Sequence, residues 1–171
     1  MNLVVASPTW LVGLLMLVLA AAAVEDALRL KISNLTCSAV LLGAVAAMAL
    51  NGFRFELWQN AAIFAIILAI GTAAFSVGLL GGGDVKLLAG IGLWLDFKTA
   101  VLLIVVIALT GGVVAIAYIL SRRFRNSQGR SSKVPYGLAI VGGALLVFVS
   151  QLAQHPSDPL MDRIGLTRPR L

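Results

Sequence analysis

Long uncharged apolar runs, separated by short polar segments, dominate the chain. Residues 3–24, 57–80 and 100–120 are each long enough to cross a bilayer as a helix of about 20 residues. Residues 35–50 form a shorter run, and residues 135–152 form the last one. None of the runs has the alternation that strands of a membrane barrel show. The pattern therefore predicts an all-α, polytopic membrane helical bundle.

One further apolar segment, residues 85–95, contains the charged residue Lys86 and is too short for a standard span. We interpret it as a short or partly re-entrant fourth helix that begins at Asp84, with Trp94 as an interfacial anchor at its far end. The bundle then has about six transmembrane helices. Residues 1–155 form a single membrane-embedded domain, and the proline-containing tail 156–171 is expected to be loosely ordered.

The composition agrees with a membrane protein and narrows its chemistry. Hydrophobic residues make up 60% of the 171 positions, and only 12% are charged, against about 25% in soluble domains. Cys37 is the single cysteine and His155 the single histidine. A disulfide within the chain is excluded, a zinc site or Ser-His-Asp triad is disfavoured, and we expect neither a metal nor a cofactor.

The formal charge of +6 lies in short loops, which indicates membrane topology rather than nucleic-acid binding. With six crossings, the loops on one side carry eight of the basic residues and the other side carries five. The eight are Arg29, Lys31, Lys86, Arg122, Arg123, Arg125, Arg130 and Lys133. The positive-inside rule makes that side cytoplasmic, so both termini are predicted to be periplasmic.

Three acidic residues share the predicted cytoplasmic side. Asp26 ends the first span, and Asp84 follows the third after three glycines, so the two carboxylates can meet in space. Glu25 points about 100° away from Asp26 around a helix, but spacing alone does not rank one above the other. Two neighbouring carboxyls share one proton, so one can act as a base on water and the other as an acid.

Structural roles explain the same carboxylates without catalysis. Asp26 can pair with Arg29, and Asp84 can pair with Lys86 or cap the helix that follows it. Against these roles, a carboxylate near membrane depth costs a few kcal/mol and is a functional candidate by default. The glycines before Asp84 also remove side-chain bulk and permit positive φ, so another backbone could approach closely beside its carboxyl group.

Three motifs resemble those of the type IV prepilin peptidases, a family of membrane aspartyl proteases. Residues 81–87, Gly-Gly-Gly-Asp-Val-Lys-Leu, are similar to the family's GxGD-x-K-L motif. Residues 26–34 resemble its first motif, an aspartate and basic residues followed by Ile-Pro-Asn. Residues 135–137, Pro-Tyr-Gly, resemble the opening of its last helix. The similarity extends from about residue 24 to residue 143.

The resemblance implies that Asp26 and Asp84 form the catalytic dyad, which favours Asp26 over Glu25. Supporting or substrate-binding positions are implied at Gly81, Gly83, Lys86, Asn34, Pro135, Tyr136 and Gly137. The implied reaction is cleavage of the short leader of prepilins and pseudopilins at the cytoplasmic face of the bacterial inner membrane. The chain has neither the paired cysteines nor the methyltransferase insert of larger members, so it resembles the small branch that serves Flp-type (tight-adherence) pili. Ser33 replaces the usual proline, which is expected to loosen the turn.

Two other functions remain open from the residues alone. A small transporter could use Asp26 and Asp84 as a proton or cation relay. A non-enzymatic pilus assembly factor would need neither carboxylate. Lys86 is either an interfacial anchor or a residue that tunes the dyad. The basic loop 121–133 is either a topology signal or a contact for acidic lipid or substrate.

Overall fold

The computed structural model describes residues 1–29, 31–52, 54–124 and 136–154. Over these ranges the chain is helical and contains no strand, which confirms the predicted all-α bundle. The helices are α1 (Leu3–Ala6), α2 (Thr9–Arg29), α3 (Asn34–Asn51), α4 (Leu57–Ser76), α5 (Gly82–Gly92), α6 (Phe97–Phe124) and α7 (Tyr136–Gln154).

Helices long and apolar enough to cross a membrane account for most of the bundle. By length and composition α2, α3, α4 and Gly137–Gln154 of α7 qualify, and α6 contributes a shorter apolar stretch at Phe97–Val113. The chain is therefore a multi-pass membrane protein. Helix α2 packs on α3 and α7, while α5 packs mainly between α3 and α4.

Helix boundaries differ from the prediction at several places; α5 begins at Gly82 rather than at Asp84, and α6 begins at Phe97 rather than at residue 100. The first run is broken at Ser7, which is extended (ψ 157°), because the following Pro8 lacks an N–H and disfavours helical geometry before it. The third run ends at Ser76 rather than residue 80, and Gly78 adopts a left-handed φ of +76° in the turn that follows. Helix α6 continues to Phe124, so the first four residues of the predicted loop 121–133 are helical. The rest of that loop lies outside the described residues, as does the tail 156–171.

The short helix α5 creates a need for hydrogen bonds inside the bundle. Its 11 residues rise about 16 Å, roughly half of the hydrocarbon thickness. The backbone that follows it must find partners within the protein, because lipid supplies none. The side-chain amide of Asn60, which is fully buried, donates to the carbonyls of Leu93 and Leu95 at 3.0 Å each. The Leu3 N–H donates to the Trp94 carbonyl at 2.8 Å.

Trp94 was predicted to be an interfacial anchor, and that prediction is wrong. Its side chain is 0% exposed, and its Nε1–H donates to the Val40 carbonyl of α3 at 3.1 Å. A Cβ at Gly43 would lie 3.0 Å from the indole ring, so the glycine makes room for it. The indole is buried because α5 ends within the bundle rather than at its surface.

The polar residues gather at two opposite ends of the bundle. At one end Asn2 donates to Thr99 and to Gln151, the latter near the end of α7. At the other end the last turn of α2 meets the first turn of α7, where Asp26 accepts a bond from Leu138. The start of α5 lies at that second end too, because Lys86 bonds to the first residue of α3. The predicted grouping of the residues around Asp26 and Asp84 at one end is therefore found in the structure.

Candidate active site at the polar end of the bundle

Asp26 lies in the last turn of α2 and is 4% exposed. Its Oδ2 accepts the backbone N–H of Leu138 at 3.0 Å, and the Gly137 N–H also interacts with this carboxylate. Both donors belong to the first turn of α7, where backbone N–H groups have no partner within their own helix. Asp26 thus contacts α7 rather than Arg29, and the amino end of that helix offsets part of the cost of burying its negative charge.

The contact between Asp26 and α7 requires glycine at position 137, because a larger residue would overlap the carboxyl group. A Cβ at this position would lie 2.7 Å from both Cγ and Oδ2 of Asp26 and 3.0 Å from its Cβ. Real side chains do not approach so closely, so any residue larger than glycine would displace the carboxyl group. Helix α7 begins at Tyr136, and Pro135 of the same motif lies outside the described residues.

Asp84 lies in the first turn of α5, outside the long apolar helices. Its Oδ2 accepts the N–H of Gly81, the N-cap residue, at 3.3 Å. In a capping box this is the bond made by the side chain of the third helical residue. Burial and then the negative charge of Asp26 raise the pKa of Asp84 to about 6, while the Gly81 N–H opposes them. The structure thus brings the two carboxyls close enough for one charge to act on the other.

Gly83 shows what the glycine run contributes. None of the three glycines has positive φ, since the left-handed glycines of the described chain are Gly52 and Gly78. A Cβ at Gly83 would instead lie 3.1 Å from the carbonyl oxygen of Ile32 and 3.2 Å from its Cβ. Of the two reasons given for glycine here, close backbone approach holds and positive φ does not.

Glu25 faces away from Asp26, as the helix geometry predicted. Its Oε2 accepts the N–H of Ser33 at 3.0 Å and the hydroxyl of Thr36 at 2.9 Å. Ser33 is the N-cap of α3, with its Oγ accepting the Thr36 N–H at 3.1 Å. The structure therefore separates the two acids, and hydrogen bonds with Glu25 and Thr36 restrain the turn at Ser33, where the missing proline was expected to loosen it.

Lys86 contacts Asn34, so a second pair of residues from the two aspartate motifs meets in the structure. The Lys86 Nζ donates to the Asn34 Oδ1 at 2.9 Å, which joins α5 near its start to the first residue of α3. The proposed pairing of Lys86 with Asp84 is replaced by this contact. Beside it, α3, α4 and α5 enclose an apolar groove of about 420 Å³ whose lining includes Cys37, Phe64 and Leu68. The groove does not include either candidate carboxylate.

Sequence reasoning missed the backbone groups of the site. The N–H of Leu138, the carbonyl of Ile32 and the N–H of Ser33 carry no signal in side-chain identity. The Pro-Tyr-Gly motif was the nearest signal for the first of these. Within the described ranges, His, Cys, Asp and Glu do not gather in groups of three or more that could hold a metal ion.

The fold and the site define an all-α membrane protein that brings two acidic side chains together at one end of its bundle. The sequence model of the type IV leader peptidase family matches residues 13–116, which include both Asp26 and Asp84. The chain belongs to that family, and membership implies a peptidase. Searches among curated proteins and among solved structures found no match.

Proposed function

We propose that this protein is an aspartic endopeptidase that removes the leader peptide from type IV prepilins of the Flp type. The observation that carries the proposal is the pair of carboxyls in different surroundings. Asp26 accepts N–H bonds from the start of α7, while burial and the charge of Asp26 raise the pKa of Asp84. Paired acidic groups whose surroundings differ are the arrangement that divides acid and base roles.

The chemistry needs one shared proton and one water molecule. The ionised carboxylate, assigned to Asp26 because its charge helps to raise the pKa of Asp84 to about 6, removes a proton from water. The resulting hydroxide attacks the scissile carbonyl, while Asp84 donates its proton to the carbonyl oxygen. Asp26 then gives its proton to the leaving nitrogen, and Asp84 takes a proton from one hydroxyl of the tetrahedral intermediate, so the peptide bond breaks and the pair again holds one proton.

Cleavage is proposed at the cytoplasmic face of the bacterial inner membrane. The eight-to-five distribution of basic residues supports this orientation, and Asp26 and Asp84 lie at the end of the bundle that carries Arg29 and Lys86. A cysteine introduced at Ser127, which lies outside the described residues, should resist an impermeant thiol reagent in intact cells. Labelling of that cysteine in intact cells would place the dyad on the periplasmic side.

The decisive experiment measures cleavage of a purified prepilin by the detergent-solubilised protein and its variants. Asp26→Asn and Asp84→Asn should each abolish cleavage, because Asn preserves an oxygen that accepts the Leu138 or Gly81 N–H but cannot transfer the proton. Asp84→Glu should also fail, since an error of about 1 Å in a reacting group can cost roughly a hundredfold.

Glu25→Gln is the matched control, because its amide oxygen can still accept from Ser33 and Thr36, so it should retain much of the activity. All variants are compared at equal amounts of folded protein. Near-normal cleavage by Asp84→Asn would refute the aspartic mechanism. Proton or cation flux through proteoliposomes that lack peptide substrate would favour the transporter, and full pilus assembly with both Asn variants would favour the assembly factor.

A further inference from the structure

One peptide group meets both Glu25 and Gly83, the residues that immediately precede the two candidate aspartates. It joins Ile32 to Ser33 in the turn between α2 and α3. Its N–H, from Ser33, donates to Glu25, the residue before Asp26. Its carbonyl, from Ile32, lies against Gly83, the residue before Asp84.

The Glu25 side of this peptide is held by a closed set of hydrogen bonds. The Thr36 hydroxyl donates to the same Glu25 oxygen that accepts the Ser33 N–H. The Thr36 Oγ1 also lies 2.8 Å from the Ser33 Oγ, and that Oγ accepts the Thr36 N–H. Because the Thr36 hydroxyl proton goes to Glu25, the Ser33 hydroxyl is the donor in the bond between the two hydroxyls.

The Gly83 side is held by close contact. The Ile32 carbonyl oxygen would lie only 3.1 Å from a Cβ at Gly83, and the Ile32 N would lie 3.5 Å from it. Cys37, one turn into α3, adds a weak bond from its Sγ to the Gly83 carbonyl at 3.6 Å. A displacement of the Ile32–Ser33 peptide would therefore be transmitted to the first turn of α5, where Asp84 lies.

We propose that Glu25 is a positioning residue, which holds the Ile32–Ser33 peptide against Gly83 and thereby sets the separation of Asp26 and Asp84. The inference rests on the proposed peptidase function. Glu25 does not touch the reacting atoms. It fixes the turn between α2 and α3, which contacts the start of α5 at Gly83.

Because residue 33 is serine rather than proline, its N–H is available to bond to the acid at position 25. Ser33 has φ −72° and ψ 148°, and proline, which holds φ near −65°, fits that conformation without rearrangement. Proline has no N–H, so it could not bond to Glu25. The bond between Glu25 and Ser33 thus restrains by hydrogen bonding a turn that a proline ring would restrain covalently.

A double-mutant cycle between positions 25 and 33 tests this directly, with prepilin cleavage as the readout. With Ser33 present, Glu25→Ala should lower kcat about tenfold and leave KM nearly unchanged, because a displacement of less than 1 Å weakens catalysis without removing substrate contacts. In the Ser33→Pro background the same Glu25→Ala change should cost less than about twofold, since the Ser33 N–H bond that restrains the peptide is already absent and only the Thr36 hydroxyl loses its bond to Glu25.

The pH profile provides a readout that a loss of folded protein would not move. If the carboxyls separate, the charge of Asp26 raises the pKa of Asp84 less, so in Glu25→Ala the decline in kcat at high pH should begin at a lower pH. Asp26 is the charged group that acts on Asp84, and the Gly81 N–H opposes it. Ser33→Ala retains the N–H and should leave the profile in place, although loss of the N-cap costs about 1 kcal/mol of stability.

Lys98, which is exposed and lies beside Thr99 at the opposite end of the bundle, is the second control. Lys98→Gln should leave kcat and the pH profile unchanged. Equal losses on Glu25→Ala in the wild-type and Ser33→Pro backgrounds would overturn the positioning role, as would a Lys98→Gln variant that reproduces the loss. An inactive wild-type protein would instead refute the proposed function itself, so the two failures are distinguishable.

Discussion

Replacing Gly137 by alanine is the smallest change that should disable the site while leaving the rest of the bundle intact. The added Cβ would lie 2.7 Å from Cγ and Oδ2 of Asp26, whereas ordinary van der Waals contact begins at 3.4 Å. Relief of the overlap therefore needs a displacement of about 0.7 Å. Asp26 cannot rotate freely away, because its own Cβ would also be 3.0 Å from the new methyl group.

The displacement should fall on the reacting group itself. A misplacement of about 1 Å can cost roughly a hundredfold in rate, so we expect Gly137→Ala to lower kcat by about ten- to a hundredfold. The bond from the Leu138 N–H to Asp26 should lengthen as well, because Gly137 and Leu138 belong to the same turn of α7. The assay is cleavage of a prepilin by purified protein, followed by the shift in gel mobility.

Gly142→Ala is the matched control on the same helix. A Cβ at Gly142 meets nothing within 4 Å, and alanine favours the helix over glycine by up to about 1 kcal/mol. This variant should therefore cleave normally and melt at the same or a slightly higher temperature. If Gly137→Ala cleaves within threefold of wild type while folding normally, the contact between Gly137 and Asp26 does not matter for catalysis.

Three further predictions concern acidity and stability. The cleavage rate should fall as pH rises through about 6, because burial and Asp26 raise the pKa of Asp84 to about 6 and the pair then loses its shared proton; a rate that rises up to pH 8 would contradict this. In the unfolded chain the Asp84 carboxyl has its ordinary pKa of 3.8, against about 6 in the folded protein. Ionisation of Asp84 therefore destabilises the fold as the pH rises from 3.8, and the full penalty is reached above about 6. Asp84→Asn should raise the melting temperature at pH 7 but not below pH 4. Asn60→Leu should destabilise by about 2–4 kcal/mol, since the Leu93 and Leu95 carbonyls lose their buried donor; Gln59→Leu, at a partly exposed neighbouring position, should change the melting temperature little.

Much of the architecture followed from the chain's pattern of apolar and charged residues. In a membrane, every backbone polar group must be satisfied within its own helix or by a protein neighbour, so long apolar runs can only become helices. That constraint is local, and it explains why each of the six predicted apolar segments contains a helix in the structure, although several boundaries differ. The break at Ser7–Pro8 was missed because hydrophobicity alone does not register the backbone restriction before proline.

The grouping of Asp26 with Asp84 also followed from the sequence, since helices that cross in alternation place every second loop at the same end. The choice between Asp26 and Glu25 did not follow from the residues alone, because both acids lie in one turn of one helix. Only the packing separates them: Asp26 meets the amino end of α7, and Glu25 meets the turn before α3.

The tertiary structure alone decided the contacts made by backbone atoms. The Leu138 N–H reaches Asp26 across more than a hundred positions of chain, and the Ile32 carbonyl reaches Gly83 across about fifty. Every residue except proline carries the same N–H and C=O groups, so no side-chain pattern marks which of them will meet a carboxylate. Trp94 shows the same limit for a side chain, because tryptophan suits both a membrane interface and a protein core. The end of α5 inside the bundle determined that Trp94 is buried.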